Sequence, residues 1–362
     1  MIAKPPPVFL RSGCLLAFCL FATVIGQTRP FEPDHSKLLM YRDEQGREQP
    51  VKSARDWARR RAEILDGMQQ VMGNLPNRSH LPPLDVRVVE EVSIDDLTRR
   101  RISFALDDSN RRIPAYLFVP TKTLPSHTLA AVLALHQTTP LGKSEPAGLG
   151  KPNMAYGLEL ARRGYVVLCP DYPSFGDYTC DFKDPAFASG TMLGIAGHMR
   201  SIDLLQSLAE VDPQRIGVIG HSLGGHNAMF LAAFDSRVKV VASSCGWTPF
   251  ADYYRGNLKG WSSARYMPRI RSVYHLDPSA VPFDFYEVVA AIAPRPFYSN
   301  SPLHDQNFDV IGVQKAAKEA GKVYELLDAP DALRIRTPDC AHDFPPNSRE
   351  EAYAFIDSVL KR

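Results

Sequence analysis

Ser222 stands in Gly220-His221-Ser222-Leu223-Gly224, between the apolar run Ile216, Val218, Ile219 and a second apolar stretch from Ala228 to Ala233. A Gly-x-Ser-x-Gly so placed reads as a sharp strand-to-helix turn with serine at its apex. Side chains two residues before and after the serine would collide with the turn, which is why glycine is needed there. The helix that follows points free N–H groups and its positive dipole end at the same spot. A serine hydroxyl is a poor nucleophile at neutral pH. It needs a base to take its proton and a third group to orient that base. In a turn of this kind the acid and then the histidine follow later in the chain, at the ends of later strands. Asp305 follows the strand-like Pro296-Phe297-Tyr298-Ser299, and His342 lies in Cys340-Ala341-His342-Asp343-Phe344 ahead of a closing helix. The expected roles are Ser222 as nucleophile, His342 as general base and then acid, and Asp305 as orienting carboxylate. Asp309, the competing acid, is expected inside the following helix. The backbone N–H of Leu223 should donate to a developing oxyanion, with a second donor near Gln137.

The remaining candidates read as structural. His304 fits a loop surface, His221 and His226 flank the turn as packing groups, and His136 fits a loop-fixing role. His198 and His275 have no partner spacing. No His/Asp/Glu cluster reads as a metal site, and no cofactor is implied. Cys169 and Cys245 lie in or beside strand-like runs and read as buried thiols. Cys180 and Cys340 could pair, and the sequence leaves that open.

The elements that must hold these residues alternate. Val86 to Ile94, Arg100 to Ala105 and Ile113 to Val119 read as strands with polar turns between them. Leu129 to His136 and Tyr165 to Pro170 are apolar runs typical of strands buried on both faces. Asn153 to Arg163 and Thr191 to Val211 read as helices. After the turn at Ser222 and its helix come a strand at 238–243, the strand at 296–299, a helix at 308–320, a last strand at 323–327 and a helix at 348–360. This is an α/β pattern: a mostly parallel sheet with helices on both faces and an antiparallel edge from the leading strands. Residues 246–290 interrupt it with an aromatic, irregular insertion. Upstream, residues 27–52 read as polar loop, and Ser53 caps a helix to about Met72 with Trp57, Ile64, Met68 and Val71 on one face. Asn77-Arg78-Ser79 is a glycosylation sequon.

Lys4 and Arg11 precede an apolar run from Cys14 to Ile25 that is short for a bilayer span, so residues 1–26 read as a secretory signal with Gln27 as the mature start. The chain carries 42 Lys and Arg against 40 Asp and Glu, an even balance once Lys4 and Arg11 are removed. That neutrality argues against a nucleic-acid partner on electrostatic grounds and gives no membrane-surface signal. With 44% hydrophobic residues the chain can bury a large core. The expected organisation is a signal (1–26), an extension with one helix (27–84) and one catalytic domain (85–362), with 246–290 as a lid.

From about Asp85 to its end the chain resembles the α/β-hydrolase superfamily, and most of all its dienelactone-hydrolase and acetyl-xylan-esterase-like branch. The matching residues are Gly220-His221-Ser222-Leu223-Gly224-Gly225, Pro170-Asp171-Tyr172-Pro173-Ser174-Phe175-Gly176, Ala293-Pro294-Arg295-Pro296 and His342-Asp343-Phe344. One departure stands out: where relatives often carry His-Gly, this chain has His136-Gln137-Thr138, so the Gln137 side chain could supply the second donor. The resemblance implies an exported serine carboxylic-ester hydrolase acting through an acyl-enzyme on a small-molecule or polysaccharide ester such as acetylated xylan. Trp247 and Trp261 of the insertion could stack on sugar faces, and Arg269 or Arg271 could meet a carboxylate. Two other readings remain. One is a prolyl-oligopeptidase-type peptidase, although no blade-like repeat precedes the first strands. The other is a hydrolase fold that has lost catalysis and serves as a binding module.

Overall fold

The alternation of buried runs and amphipathic stretches folds as a three-layer α/β unit. The computed structural model describes residues 1–4, 34–121 and 128–361. Apart from its first four residues, the signal expected over 1–26 lies outside the described residues. No helix among the described residues is long and apolar enough to cross a membrane.

Where polar loop was expected there is a short antiparallel hairpin, β1 (Met40–Arg42) with β2 (Glu48–Pro50). Its signal is in the turn rather than the strands: the Asp43 carboxylate accepts the amides of Gln45 and Arg47 at 3.0 and 2.9 Å. Helix α1 (Ala54–Met72) begins as expected at Ser53, whose hydroxyl accepts the Asp56 amide at 3.2 Å. It buries Trp57, Ile64, Met68 and Val71. Gly73, at φ +96°, ends it.

The chain then builds one nine-stranded sheet. Strands β3 (Arg87–Ile94), β4 (Leu97–Ala105) and β5 (Arg112–Pro120) run antiparallel. The remainder are β6 (Leu129–Leu135), β7 (Val166–Pro170), β8 (Val211–His221), β9 (Val238–Ser244), β10 (Phe297–Asn300) and β11 (Leu333–Arg336). The order across the sheet is β11-β10-β9-β8-β6-β7-β5-β4-β3, parallel from β11 to β7. The expected mostly parallel sheet with an antiparallel edge is therefore the observed fold.

Both faces are covered, and the period-2 alternation of the strands sorts the core into two halves. Ala131, Leu133, Val218 and Val241 join one apolar cluster. Against them lie α3 (Gly190–Ser207), α4 (Leu223–Phe234), α6 (Phe285–Ile292), α7 (Val310–Leu326) and α1. Val132, Ala134, Val167 and Ile219 join the other, under α2 (Tyr156–Arg162) and α8 (Pro346–Leu360). Short α5 (Arg269–Ser272) lies between β9 and α6.

Several element ends differ from expectation by a few residues, and two differences change the order of elements or the end of a helix. Val323 to Leu327 is not the last strand. Val313, Ala316, Ala320, Val323 and Tyr324 form one buried stripe at helical spacing, so α7 continues to Leu326 and β11 comes later. Likewise α3 ends at Ser207, and Val211 already belongs to β8.

Candidate active site

Strand β8 delivers Ser222 to the end of the sheet. Ser222 has φ +53° and ψ −114°, a conformation held from outside: its amide donates to Ser244 O at 2.8 Å, and its carbonyl accepts the Gly225 amide at 2.9 Å. The two flanking glycines are required by contact. A Cβ on Gly220 would lie 2.2 Å from Gly224 O, and one on Gly224 would lie 1.9 Å from Leu135 O. Helix α4 starts at Leu223, so the Leu223 N–H is among the unpaired donors of the helix's first turn.

His342 lies between β11 and α8, and Asp305 in the loop after β10. The structure joins them: His342 Nδ1 and Asp305 Oδ2 are 2.8 Å apart. The other carboxylate oxygen accepts the amides of Asn307 and Phe308 at 2.8 and 3.1 Å, so Asp305 is held on both sides. The His342 ring lies 5.0 Å from that of His221, beside the serine, and stacks on Phe308 at 5.9 Å. Burial, with His342 as a further cause, pushes His221 well below its usual pKa and keeps it neutral. Asp309 caps α7 instead, accepting the Ile311 amide at 2.7 Å.

Cys245 completes this corner. One ligand atom each from Cys245, Asp305 and His342 lie within 4.8 Å of one another. The His342–Asp305 hydrogen bond already occupies one atom of each. Burial, and then the Asp305 charge, push the Cys245 thiol well up.

The loop after β6 is pinned from two sides. His136 Nδ1 lies 2.6 Å from Gln137 O, and its Nε2 accepts the Tyr172 amide at 2.9 Å. Lys143, buried, donates from Nζ to Asp171 at 2.8 Å and Asp177 at 2.7 Å, and its amide donates to Asp171 at 2.6 Å. The noted Pro170-Asp171 stretch therefore grips the loop that carries Gln137. Sequence reading missed Lys143, whose partner lies 28 positions away with no periodic signal. Gln137 Oε1 is buried without a hydrogen-bond partner.

A cleft of about 150 Å³ opens at Ser222 and Leu223, walled by Tyr253, Trp261, Tyr266 and Phe308. Thr138 lines it and also a wider neighbouring cavity of about 530 Å³ that includes Gln137. Of the expected insertion contacts, only Trp261 lines the cleft. Trp247 is 1% exposed, donates Nε1 to Ser299 Oγ at 2.9 Å and packs on Phe285 and Phe297, so it belongs to the core. Arg269 donates to Gln70 O of α1 at 2.8 Å and does not line the cleft, and Arg271 donates to Ser262 Oγ at 3.1 Å. His304 is a surface residue facing Asp339. Cys180 and Cys340 are free thiols.

Residues 147–354 match the alpha/beta hydrolase family, a span that includes Ser222, Asp305 and His342. The chain belongs to the alpha/beta hydrolase family. It is 30% identical to YtaP of Bacillus subtilis (strain 168) over 316 residues, covering 83% of this chain and all of that one. It is 23% identical to 4-O-methyl-glucuronoyl methylesterase 1 of Wolfiporia cocos (strain MD-104), over 86% of this chain and 78% of that one. Among solved structures, a glucuronoyl esterase from Solibacter usitatus superposes with a TM-score of 0.68 at 19% identity, covering 89% of this chain and 96% of that one. An acetyl xylan esterase from Paenibacillus sp. R4 reaches 0.57 at 20% identity, over 82% and 99%. These two likenesses carry the hydrolase fold.

Proposed function

We propose that this hydrolase is a serine carboxylic-ester hydrolase acting on carbohydrate esters, exported by its N-terminal signal. The observation that carries the reading is the His342–Asp305 hydrogen bond, at the same sheet end as a serine held at positive φ. Ser222 Oγ attacks the ester carbonyl while His342 takes its proton. Asp305 keeps the imidazole in place and stabilises the imidazolium that forms. The Leu223 N–H, with a second donor from the Gln137 loop, holds the oxyanion. Protonated His342 then gives its proton to the departing alcohol, leaving an acyl group on Ser222. In the second half His342 activates water, and the acid is released. The kinship to carbohydrate esterases and the aromatic cleft support a sugar ester, acetylated or uronate-methylated.

The test is turnover of p-nitrophenyl acetate, acetylated xylan, a glucuronate methyl ester and a prolyl-peptide chromogen, each beside Ser222→Ala. Ester release should fall about 10⁴-fold or more in the variant. Equal turnover by both proteins would refute the assignment, and serine-dependent peptide cleavage would replace it with the peptidase reading. The acetyl-to-uronate ratio sets the ester class.

A further inference from the structure

The cleft beside Ser222 has an unusual polar inventory. Among the described residues lining it there is no Lys, Arg, Asp or Glu. Its polar groups largely satisfy one another: Tyr254 Oη is bonded to Asn307 Oδ1, and Thr138 Oγ1 lies 3.3 Å from Tyr266 Oη. His226 is different. It stands on α4 one turn beyond Ser222, lines the cleft and is 5% exposed. Its Nδ1 is sealed from the cleft and bears on the backbone of Gly246, whereas Nε2 has no hydrogen-bond partner among the described residues and is not sealed, so it is the edge of the ring that can meet the cleft. Burial pushes its pKa down to about 3, so the ring is neutral at working pH. Its neighbours are aromatic, Trp261 at 4.7 Å and Tyr266 at 6.2 Å between ring centroids.

A buried imidazole with unused hydrogen-bonding capacity is costly unless something meets it. Here the space in front of it is the cleft. A cavity of about 150 Å³ admits a group the size of one six-membered ring. Aromatic walls favour the apolar face of such a ring, and a neutral imidazole favours a hydroxyl on its edge. A free carboxylate would enter with no cation to meet it and would lose its hydration for nothing.

We infer that His226 is a specificity residue, hydrogen-bonding a hydroxyl of an uncharged, ring-shaped substrate group seated against Trp261. This rests on the ester-hydrolase reading of Ser222 for its kinetic consequence, but not for its binding consequence. The role differs from packing because a packing residue would not distinguish a hydroxylated ring from a bare one.

The experiment compares wild type, His226→Leu and His226→Gln on two esters of similar shape, a mono-O-acetyl methyl xyloside and cyclohexyl acetate. His226→Leu should lower kcat/KM on the xyloside about 10- to 100-fold, mainly through KM, and leave cyclohexyl acetate within about threefold. His226→Gln, neutral and able to hydrogen-bond, should recover most of the loss. Equal losses on both esters, or no loss on either, overturn the inference. Binding of methyl β-xyloside in the Ser222→Ala background, read by saturation-transfer NMR, separates the two readings. Binding that His226→Leu abolishes and His226→Gln keeps supports the inference even if no ester is turned over. Binding that survives His226→Leu, or no binding at tens of millimolar in the parent, sinks it while leaving the ester chemistry to its own test.

Discussion

Asp305 and Asp309 lie four residues apart and perform different work. Asp305 takes His342 Nδ1 on one oxygen and two backbone amides on the other, whereas Asp309 spends its carboxylate on the first turn of α7. Asp305→Asn replaces an acceptor by an amide that can favour the wrong imidazole tautomer, and kcat should fall about 10⁴-fold with the fold intact. Asp309→Asn retains a capping oxygen, and its kcat should stay within about threefold with stability changed by less than about 1 kcal/mol. Steady-state kinetics with a matched urea melt checks both, and the reverse ranking would move the acid to Asp309. The pair was legible because chain order constrains it: acid, then histidine, each after a strand. Trp247 and Trp261 were not separable in the same way. Both sit in an irregular segment where no period tells core from cleft, and only the fold sends one indole to Ser299 and the other to the wall beside Ser222.

At the scale of elements, the segment before the sheet is tied to the residues between β9 and β10 that wall the cleft. Glu287, at the start of α6, is bonded by Arg60 of α1 and lies 2.7 Å from His35 Nδ1. The oxygen that faces His35, Oε2, also accepts the Asp284 amide at 2.9 Å, closing a capping box. Asp284 in turn accepts the amide of Phe250, whose ring meets Trp261 at 6.0 Å. Arg269 adds a tie from α5 to α1, its actual use in place of a substrate carboxylate. Glu287→Ala removes the acidic partner of His35 and leaves Arg60 with Glu63 alone, and should cost about 3 kcal/mol, since removing one partner of a buried pair leaves the other uncompensated. The same variant should raise KM for ring esters more than it lowers kcat, because it loosens the wall and leaves the Ser222 turn untouched. A melt unchanged from wild type would show that the tie carries no load. Helix α1 itself was legible from Ser53 and its apolar spacing, but its partners were not, since Glu287 lies 227 positions from Arg60. The strand expected at 323–327 failed for a related reason: a short apolar run fits either period, and only the longer stripe from Val313 identifies α7.

For the molecule as a whole, the parallel sheet was readable because strands buried on both faces must be continuously apolar. His221 and His226, read as packing groups beside the turn, are buried, whereas the burial of His198 was not legible, since an imidazole carries no period of its own. His198 and His226 are pushed down to about 3 by burial, and His221 well below its usual value by burial and then His342. Burial lowers His136 as well. These rings are neutral in the fold and protonated below about 6.5 in the unfolded chain. Lowered folded values mean that their stabilising contribution is lost as the pH falls from about 6.5 toward about 3. Asp284 opposes them: burial raises it to about 7, so between about 4 and 7 the folded chain holds a proton there that the unfolded chain does not. His35 is raised on balance, Glu287 outweighing the burial that lowers it, so its contribution is complete below about 6.5 and is lost only as the pH rises through its folded value. Counting His198, His221 and His226 against Asp284 leaves about two more protons on the unfolded chain, a slope of about 3 kcal/mol per pH unit between pH 6 and 5. His136 acts in the same direction. Urea unfolding at pH 6.0 and 5.0 should therefore show stability falling on acidification well before the carboxylates titrate. In His226→Gln the slope should flatten by about 1 kcal/mol per pH unit, close to one proton's worth. Equal stability at the two pH values would mean that these rings are not held neutral in the fold. An unaltered slope in His226→Gln would mean that this ring is not held neutral beside the nucleophile.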